Sequence, residues 1–152
     1  SGMKNEIIFE QAQELYMHRV NKEKNSLDTN DFDISFIRGL NLEDGCTTLT
    51  DFTASVIAGE LTIYFKEKNQ KVKEVLLCGG GRKNQVLIKK IKDNLPLNIN
   101  LRLIDDYKIN GDFIESQAFA YLAVRSILGL PISFPNTTGC KSPSVGGEVI
   151  NN

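Results

Sequence analysis

Val72-Lys73-Glu74-Val75-Leu76-Leu77-Cys78-Gly79-Gly80-Gly81-Arg82-Lys83-Asn84 is the stretch that decides the fold. Its first half is short and apolar, with Val75, Leu76 and Leu77 consecutive, the pattern of a strand buried on both faces as in parallel sheets. Three glycines then break it. Beyond them Val86, Leu87, Ile88 and Ile91 fall at helical spacing up to Asn94, where Pro96 stops the helix. Residues 98–104 alternate again, with Ile99, Leu101 and Leu103 on one face, and Asp105 and Asp106 end that strand. Strand, glycine turn, helix and strand make a parallel unit, expected to cross over right-handed.

The flanks read as helices. Ile7, Ile8, Gln11, Ala12, Leu15, Tyr16 and Arg19 predict a helix over residues 6–19. Residues 21–30 open on Asn-Lys-Glu-Lys-Asn and read as a polar loop. Residues 31–38 read as a short helix carrying Phe32, Ile34, Phe36 and Ile37, ended by Gly39. Asn41, with Asp44 three residues on, is a capping pair for a long helix to about Lys68. Leu49, Phe52, Thr53, Val56, Ile57 and Leu61 line its apolar face. Gly59 inside it costs roughly 1 kcal/mol against alanine, either for close packing or as a tolerated weakness. Downstream, Asp112 is placed to cap a helix holding Phe113, Ile114, Ala118, Phe119, Tyr121, Leu122 and Leu128, stopped by Gly129 and Pro131. The stripe of Phe113, Ala120 and Leu128 reads as core. The tail is rich in Pro, Gly, Ser and Thr, with residues 145–150 as a last strand.

The fold class is therefore α/β, helix-rich with a small parallel sheet. Two strands fall short of the about 4–6 usual in a sheet. Further chain or another subunit, as in a homodimer, is expected to complete it. Ser1-Gly2-Met3 reads as a tag remnant before a start methionine, and residues 4–152 as a single domain.

Composition narrows the function. The net charge of -1 gives no broad pull toward nucleic acid or anionic lipid. No apolar run approaches the ~20 residues needed to span a bilayer, and no signal-peptide pattern opens the chain, so a cytoplasmic address is expected. Cys46, Cys78 and Cys140 are odd in number and widely spaced, neither a disulfide framework nor a zinc pattern. No metal site is expected from side chains alone.

Two places carry candidate chemistry. At Gly79, Gly80 and Gly81 the missing Cβ atoms let a flat ligand or a phosphate approach the backbone, and the following helix start offers N–H groups. Asn84 is placed to hydrogen-bond a ribose or a base. The spacing is neither G-x-G-x-x-G nor a P-loop, and a ligand-free tight turn accounts for the glycines equally well. The second place is Asp105-Asp106, at the strand ends where open α/β sheets bind ligands, with Glu115 on the next helix turn. These carboxylates suit a sugar hydroxyl or a Mg²⁺ ion; a solvated turn and a favourable helix dipole explain them without a ligand. His18 reads as a surface residue, Cys78 as core packing, and Lys66, Lys68, Lys71 and Lys73 as a solvated helix end.

Three stretches in order resemble the anhydro-N-acetylmuramic acid kinase family of the sugar-kinase and actin superfamily. Leu77-Cys78-Gly79-Gly80-Gly81-Arg82-Lys83-Asn84 is similar to its glycine-triplet adenosine motif. Asp105-Asp106 followed by Asp112-Phe113-Ile114-Glu115-Ser116-Gln117-Ala118-Phe119-Ala120 resembles its D-E…D-W-V-E-A-x-A-F-A segment. Gly129-Leu130-Pro131 with Thr138-Gly139 resembles its closing G-L-P…T-G, and Ser26-Leu27-Asp28 and Thr48-Leu49-Thr50 to Ala54 fit the same order.

The resemblance implies a partial ribonuclease H-like second domain. It implies ATP-dependent phosphorylation of 1,6-anhydro-N-acetylmuramic acid, with water opening the anhydro ring, in peptidoglycan recycling, and Mg²⁺ accompanying ATP. It places Gly79, Gly80, Gly81 and Asn84 at the nucleotide and Glu115 at the sugar. The family's amino-terminal half, with its first phosphate loop and general-base aspartate, has no counterpart here, and neither has the Asp-Thr-Gly-Pro phosphate loop that opens its second domain. No catalytic residue is therefore expected in this chain, which would act only with the missing half. Lys108 also stands where the family usually has glycine. Two other readings stay open: a non-enzymatic remnant that binds a nucleotide or a partner, and an unrelated small α/β binding domain.

Overall fold

The computed structural model describes residues 2–19, 32–68, 73–148 and 150. The 21–30 loop, Lys71 and Val72 lie outside these residues, as does the His18 side chain. Helices α1 (Glu6–Arg19) and α2 (Leu42–Lys68) precede strand β1 (Glu74–Leu77). Helix α3 (Gln85–Asn94), strand β2 (Asn100–Leu103), helix α4 (Ile114–Ile127) and a short α5 (Pro135–Thr138) follow. Of the expected helix over residues 31–38, the described part, 32–38, holds one helical turn, Ser35–Ile37, of the 3₁₀ type.

Helix α2 is the centre of the molecule because it is apolar on two sides. On one, Phe52 meets Ala12 and Tyr16 of α1, with Phe9, Phe36 and Val56 around them. On the other, Ala54, Ala58 and Phe65 pack with Ile91, Leu95, Ile99 and Leu101. The two alanines, almost fully buried, keep the α2 surface low where α3 lies against it. Lys90 Nζ donates to Asp51 Oδ1 at 2.6 Å and adds a polar tie between the two helices.

The start of α2 follows from its side chains. Asn41 Oδ1 accepts the Asp44 N–H at 2.8 Å, and Asn41 Nδ2 donates to Asp44 Oδ2 at 2.7 Å. Thr48, wholly buried, donates to the Asp44 carbonyl at 2.7 Å and accepts the Asn5 N–H at 3.0 Å. Its hydroxyl thus joins the entry of α1 to the first turns of α2, donating once and accepting once.

Strands β1 and β2 pair in parallel, Val75 opposite Leu101 and Leu77 opposite Leu103. Among the described residues, only one face is covered. Val75, Leu77 and Leu101 turn toward the α2–α3 core, whereas Glu74, Leu76, Asn100 and Arg102 are exposed. The expectation of a strand buried on both faces is corrected here: three consecutive apolar residues do not distinguish a covered face from one awaiting cover. Cys78 is likewise exposed rather than core.

The stripe of Phe113, Ala120 and Leu128 is also not core, for α4 buries no residue. Its end is built as expected. Gly129 adopts φ 66°; its N–H reaches the Ser126 carbonyl at 3.0 Å and the Leu130 N–H reaches Arg125 at 2.8 Å. This paired closure needs a left-handed residue, which glycine supplies. Its start differs. Phe113 occupies the cap position without a side-chain bond, because Asp112 is engaged elsewhere. The tail folds back through the Ser126 hydroxyl, which donates to the Gly146 carbonyl. Residues 145–148 form no strand; Ser133 and Ser144 make an isolated antiparallel bridge instead.

Candidate functional site

The two strands end side by side, and the loops leaving them meet. Gly79 follows β1 at φ 74°, ψ 178°, a conformation essentially reserved for glycine. Its N–H donates to the Gly111 carbonyl at 2.9 Å, in the loop that leaves β2. Gly80–Lys83 then form one 3₁₀ turn. Asn84 caps α3, its Oδ1 accepting the Leu87 N–H at 3.1 Å.

Gly80 and Gly81 are different from Gly79. Neither has a positive φ, and a Cβ built on either meets nothing within 4 Å. Internal packing therefore gives no reason for glycine at these two positions.

Arg82 holds the turn from below. Its side chain is 7% exposed. Nε and Nη2 reach the two Asp105 oxygens at 2.7 and 3.1 Å, a two-pronged pairing. Nη1 donates to the Gly79 carbonyl at 2.8 Å and to Asp112 Oδ1 at 2.6 Å. Lys83 Nζ takes the other Asp112 oxygen at 2.8 Å. Asp105 also accepts the Gly111 N–H at 3.3 Å. Hydrogen bonding from Arg82 is the main reason that the Asp105 carboxyl falls to about 2. Arg82 and then Lys83 lower Asp112 in the same direction.

Asp105 is thus neither a free acid nor a merely solvated turn: it is the counter-charge of a buried guanidinium. Asp106 is exposed beside it, and Glu115 is exposed on the first turn of α4. Among the described residues, no three His, Cys, Asp or Glu side chains cluster to hold a metal ion. No described helix is long and apolar enough to cross a membrane. A groove of about 360 Å³ runs beside the turn, with Leu77, Arg82, Gln85, Lys89 and Leu103 in its lining.

The structure places Gly79, Gly80, Gly81 and Asn84 together at the end of β1, and Asp105 against them through Arg82. Glu115 stands three residues beyond Asp112, with no bond to the turn. Residues 22–152 match the family model described as anhydro-N-acetylmuramic acid kinase. The chain belongs to that family. An anhydro-N-acetylmuramic acid kinase of Pelagibacter ubique is 50% identical over 151 residues, covering 99% of this chain and 40% of the relative. The kinase of Zymomonas mobilis is 43% identical over 124 residues, and that of Phenylobacterium zucineum 40% over 125. In each of those two, the chain spans 32% of the relative's length.

Within this kinase-family frame, sequence reasoning missed Arg82. It read Asp112 as a helix cap and Asp105 as an end-of-strand acid, which hid their common partner. A signal was present: an arginine directly after a glycine turn, with acids at the end of the neighbouring parallel strand. Lys108 is explained as well. It sits at φ 62°, the left-handed region in which glycine is least strained.

Proposed function

We propose that this chain is the carboxyl-terminal, adenosine-binding part of a kinase that converts 1,6-anhydro-N-acetylmuramic acid to N-acetylmuramic acid 6-phosphate. ATP gives its γ-phosphoryl group to the sugar oxygen that water frees on opening the anhydro ring, with Mg²⁺ accompanying the nucleotide. The setting is peptidoglycan recycling in the cytoplasm, and the domain belongs to a ribonuclease H-like frame. The observation that carries the reading is the pair Gly80 and Gly81. They need no glycine for their backbone angles and a Cβ on either would meet no neighbour, so the remaining reason for a bare backbone is a ligand lying on it.

In this reading adenosine lies along Gly79, Gly80 and Gly81. Asn84 has spent its Oδ1 on the helix cap and offers its amide N–H groups to the nucleoside. Glu115 faces the sugar cleft. The groups that act on the γ-phosphate lie in the rest of the enzyme, so the chain alone does not turn over the anhydro sugar. The relatives' greater length supports that division.

The test is Gly81→Ala. The substitution has room and no backbone penalty, so folding stability should stay within about 0.5 kcal/mol of wild type. Calorimetric titration with Mg-ATP should nevertheless show clearly weaker binding than wild type. Equal binding by both proteins would sink the adenosine reading in favour of a ligand-free turn.

A further inference from the structure

The loops at the ends of β1 and β2 are joined by one side chain. Arg82 leaves the glycine turn, passes under it, and bonds the Gly79 carbonyl, Asp105 after β2 and Asp112 before α4. Four hydrogen bonds fix a planar fork that has only one orientation in which all are made. The Gly79 N–H closes the same ring by bonding the Gly111 carbonyl. Gly111 is buried, and a Cβ there would come within 2.5 Å of Arg82 Nε. Backbone and side chain are therefore fitted to one another around the guanidinium.

We infer that Arg82, with Asp105 and Asp112, is a positioning device. It sets the height of the Gly79-Gly80-Gly81 backbone, and its angle to the start of α4, for a nucleotide lying on the turn. The inference rests on the adenosine reading above. In this arrangement Arg82 acts on the backbone rather than on the nucleotide, because four of its five N–H groups are taken by protein acceptors. Its positive charge is already matched by two carboxylates, so it is not a phosphate ligand. Its effect is on the shape of the surface. The bond to Asp112 also carries that shape to the N-terminal turn of α4, where Glu115 stands.

The three consequences differ from those of an ordinary surface ion pair. The turn should be rigid in the free chain. Lysine should not replace arginine, since an ammonium lacks the fork that reaches both Asp105 and the Gly79 carbonyl. Loss of the clamp should weaken nucleotide binding without unfolding the α1–α2–α3 core, which contains none of these residues.

The experiment compares wild type, Arg82→Lys and Arg82→Gln in the 152-residue chain by amide hydrogen exchange and by ADP titration in NMR spectra. Exchange at Gly79 and Gly111 should rise by about tenfold in both variants, with α2 amides unchanged. ADP should perturb the Gly79, Gly80 and Gly81 amides of wild type and bind both variants about fivefold or more weakly. Unchanged exchange at Gly79 and Gly111 would overturn the clamp itself. Faster exchange with unaltered ADP affinity would overturn its positioning role and leave a structural tie. Wild-type amides that ADP does not move, with exchange rising as expected, would overturn the adenosine reading and the positioning role with it. Exchange that rises across α2 as well marks global unfolding, and Asp112→Asn then gives the deciding comparison, since it removes one arm and leaves the Arg82–Asp105 pair.

Discussion

A methyl group at Gly111 would stand 2.5 Å from Arg82 Nε, 2.8 Å from Cζ and 2.9 Å from Asp105 Oδ2. An arginine tip is normally flexible enough to step aside. Here it is held on every side, so room for the methyl comes only by breaking the clamp. Gly111→Ala is expected to cost about 1–3 kcal/mol in urea denaturation. In an Arg82→Gln background the cost should largely vanish, because contacting residues are non-additive; a full cost there would place the strain elsewhere. Acid sensitivity follows from the same residues. Asp105 titrates near 2 when folded and at about 3.9 in an unfolded chain. Between those values the unfolded chain holds more protons, so this contribution is complete above about pH 4 and is lost as pH falls toward 2. Asp105→Asn should flatten that part of the stability–pH curve. An equally steep acid limb in the variant would rule Asp105 out as its source. The glycine turn and the acids at the end of β2 were legible as residues. Their connection was not, because it runs between loops 23 to 30 positions apart, and no local pattern reports such a pairing.

Among the elements, helices were read most faithfully where their ends carry their own signals. The Asn41–Asp44 cap and the Gly129 closure each satisfy backbone groups within a few residues, so sequence suffices to find them. The start of α4 was misread because Asp112, a good cap by type, is drawn to Arg82 by charge. The tertiary bond won over the local one. Gly59 now has a plain interpretation as well. It is exposed on α2, and a Cβ there meets nothing within 4 Å, so close packing within this chain does not require it. Gly59→Ala should stabilise the chain by about 0.5–1 kcal/mol, through helix propensity and a less flexible unfolded state. Chemical denaturation measures this directly, and a loss of stability would show that α2 needs the glycine for a contact or a bend.

At the scale of the whole molecule, burial is uneven in a way that composition conceals. The chain has the apolar content of an ordinary domain, yet Phe119 and Ile127 are 64% and 68% exposed on α4, and Leu76 is open on the sheet. The core lies in α1, α2, α3 and the inner sheet face, while α4 is tied to the rest through the Arg82–Asp112 bond and to the tail through Ser126 and Arg125. Such a division should appear in hydrogen exchange, since amides that few buried contacts protect open locally at little cost. In the 152-residue chain, amides of α2 and α3 should exchange only with global unfolding. Those in the middle of α4 should exchange about a hundredfold faster or more, as sub-global opening does. Apolar surface left uncovered is the kind that can receive further protein, and the Pelagibacter ubique and Zymomonas mobilis relatives, of which this chain spans 40% and 32%, have further protein to supply. Adding the rest of such an enzyme should therefore slow exchange in α4 selectively, while α2, already buried, changes little. Equal protection of α4 and α2 in the chain alone would show that α4 is covered without it, and would remove the reason to expect further protein on that face.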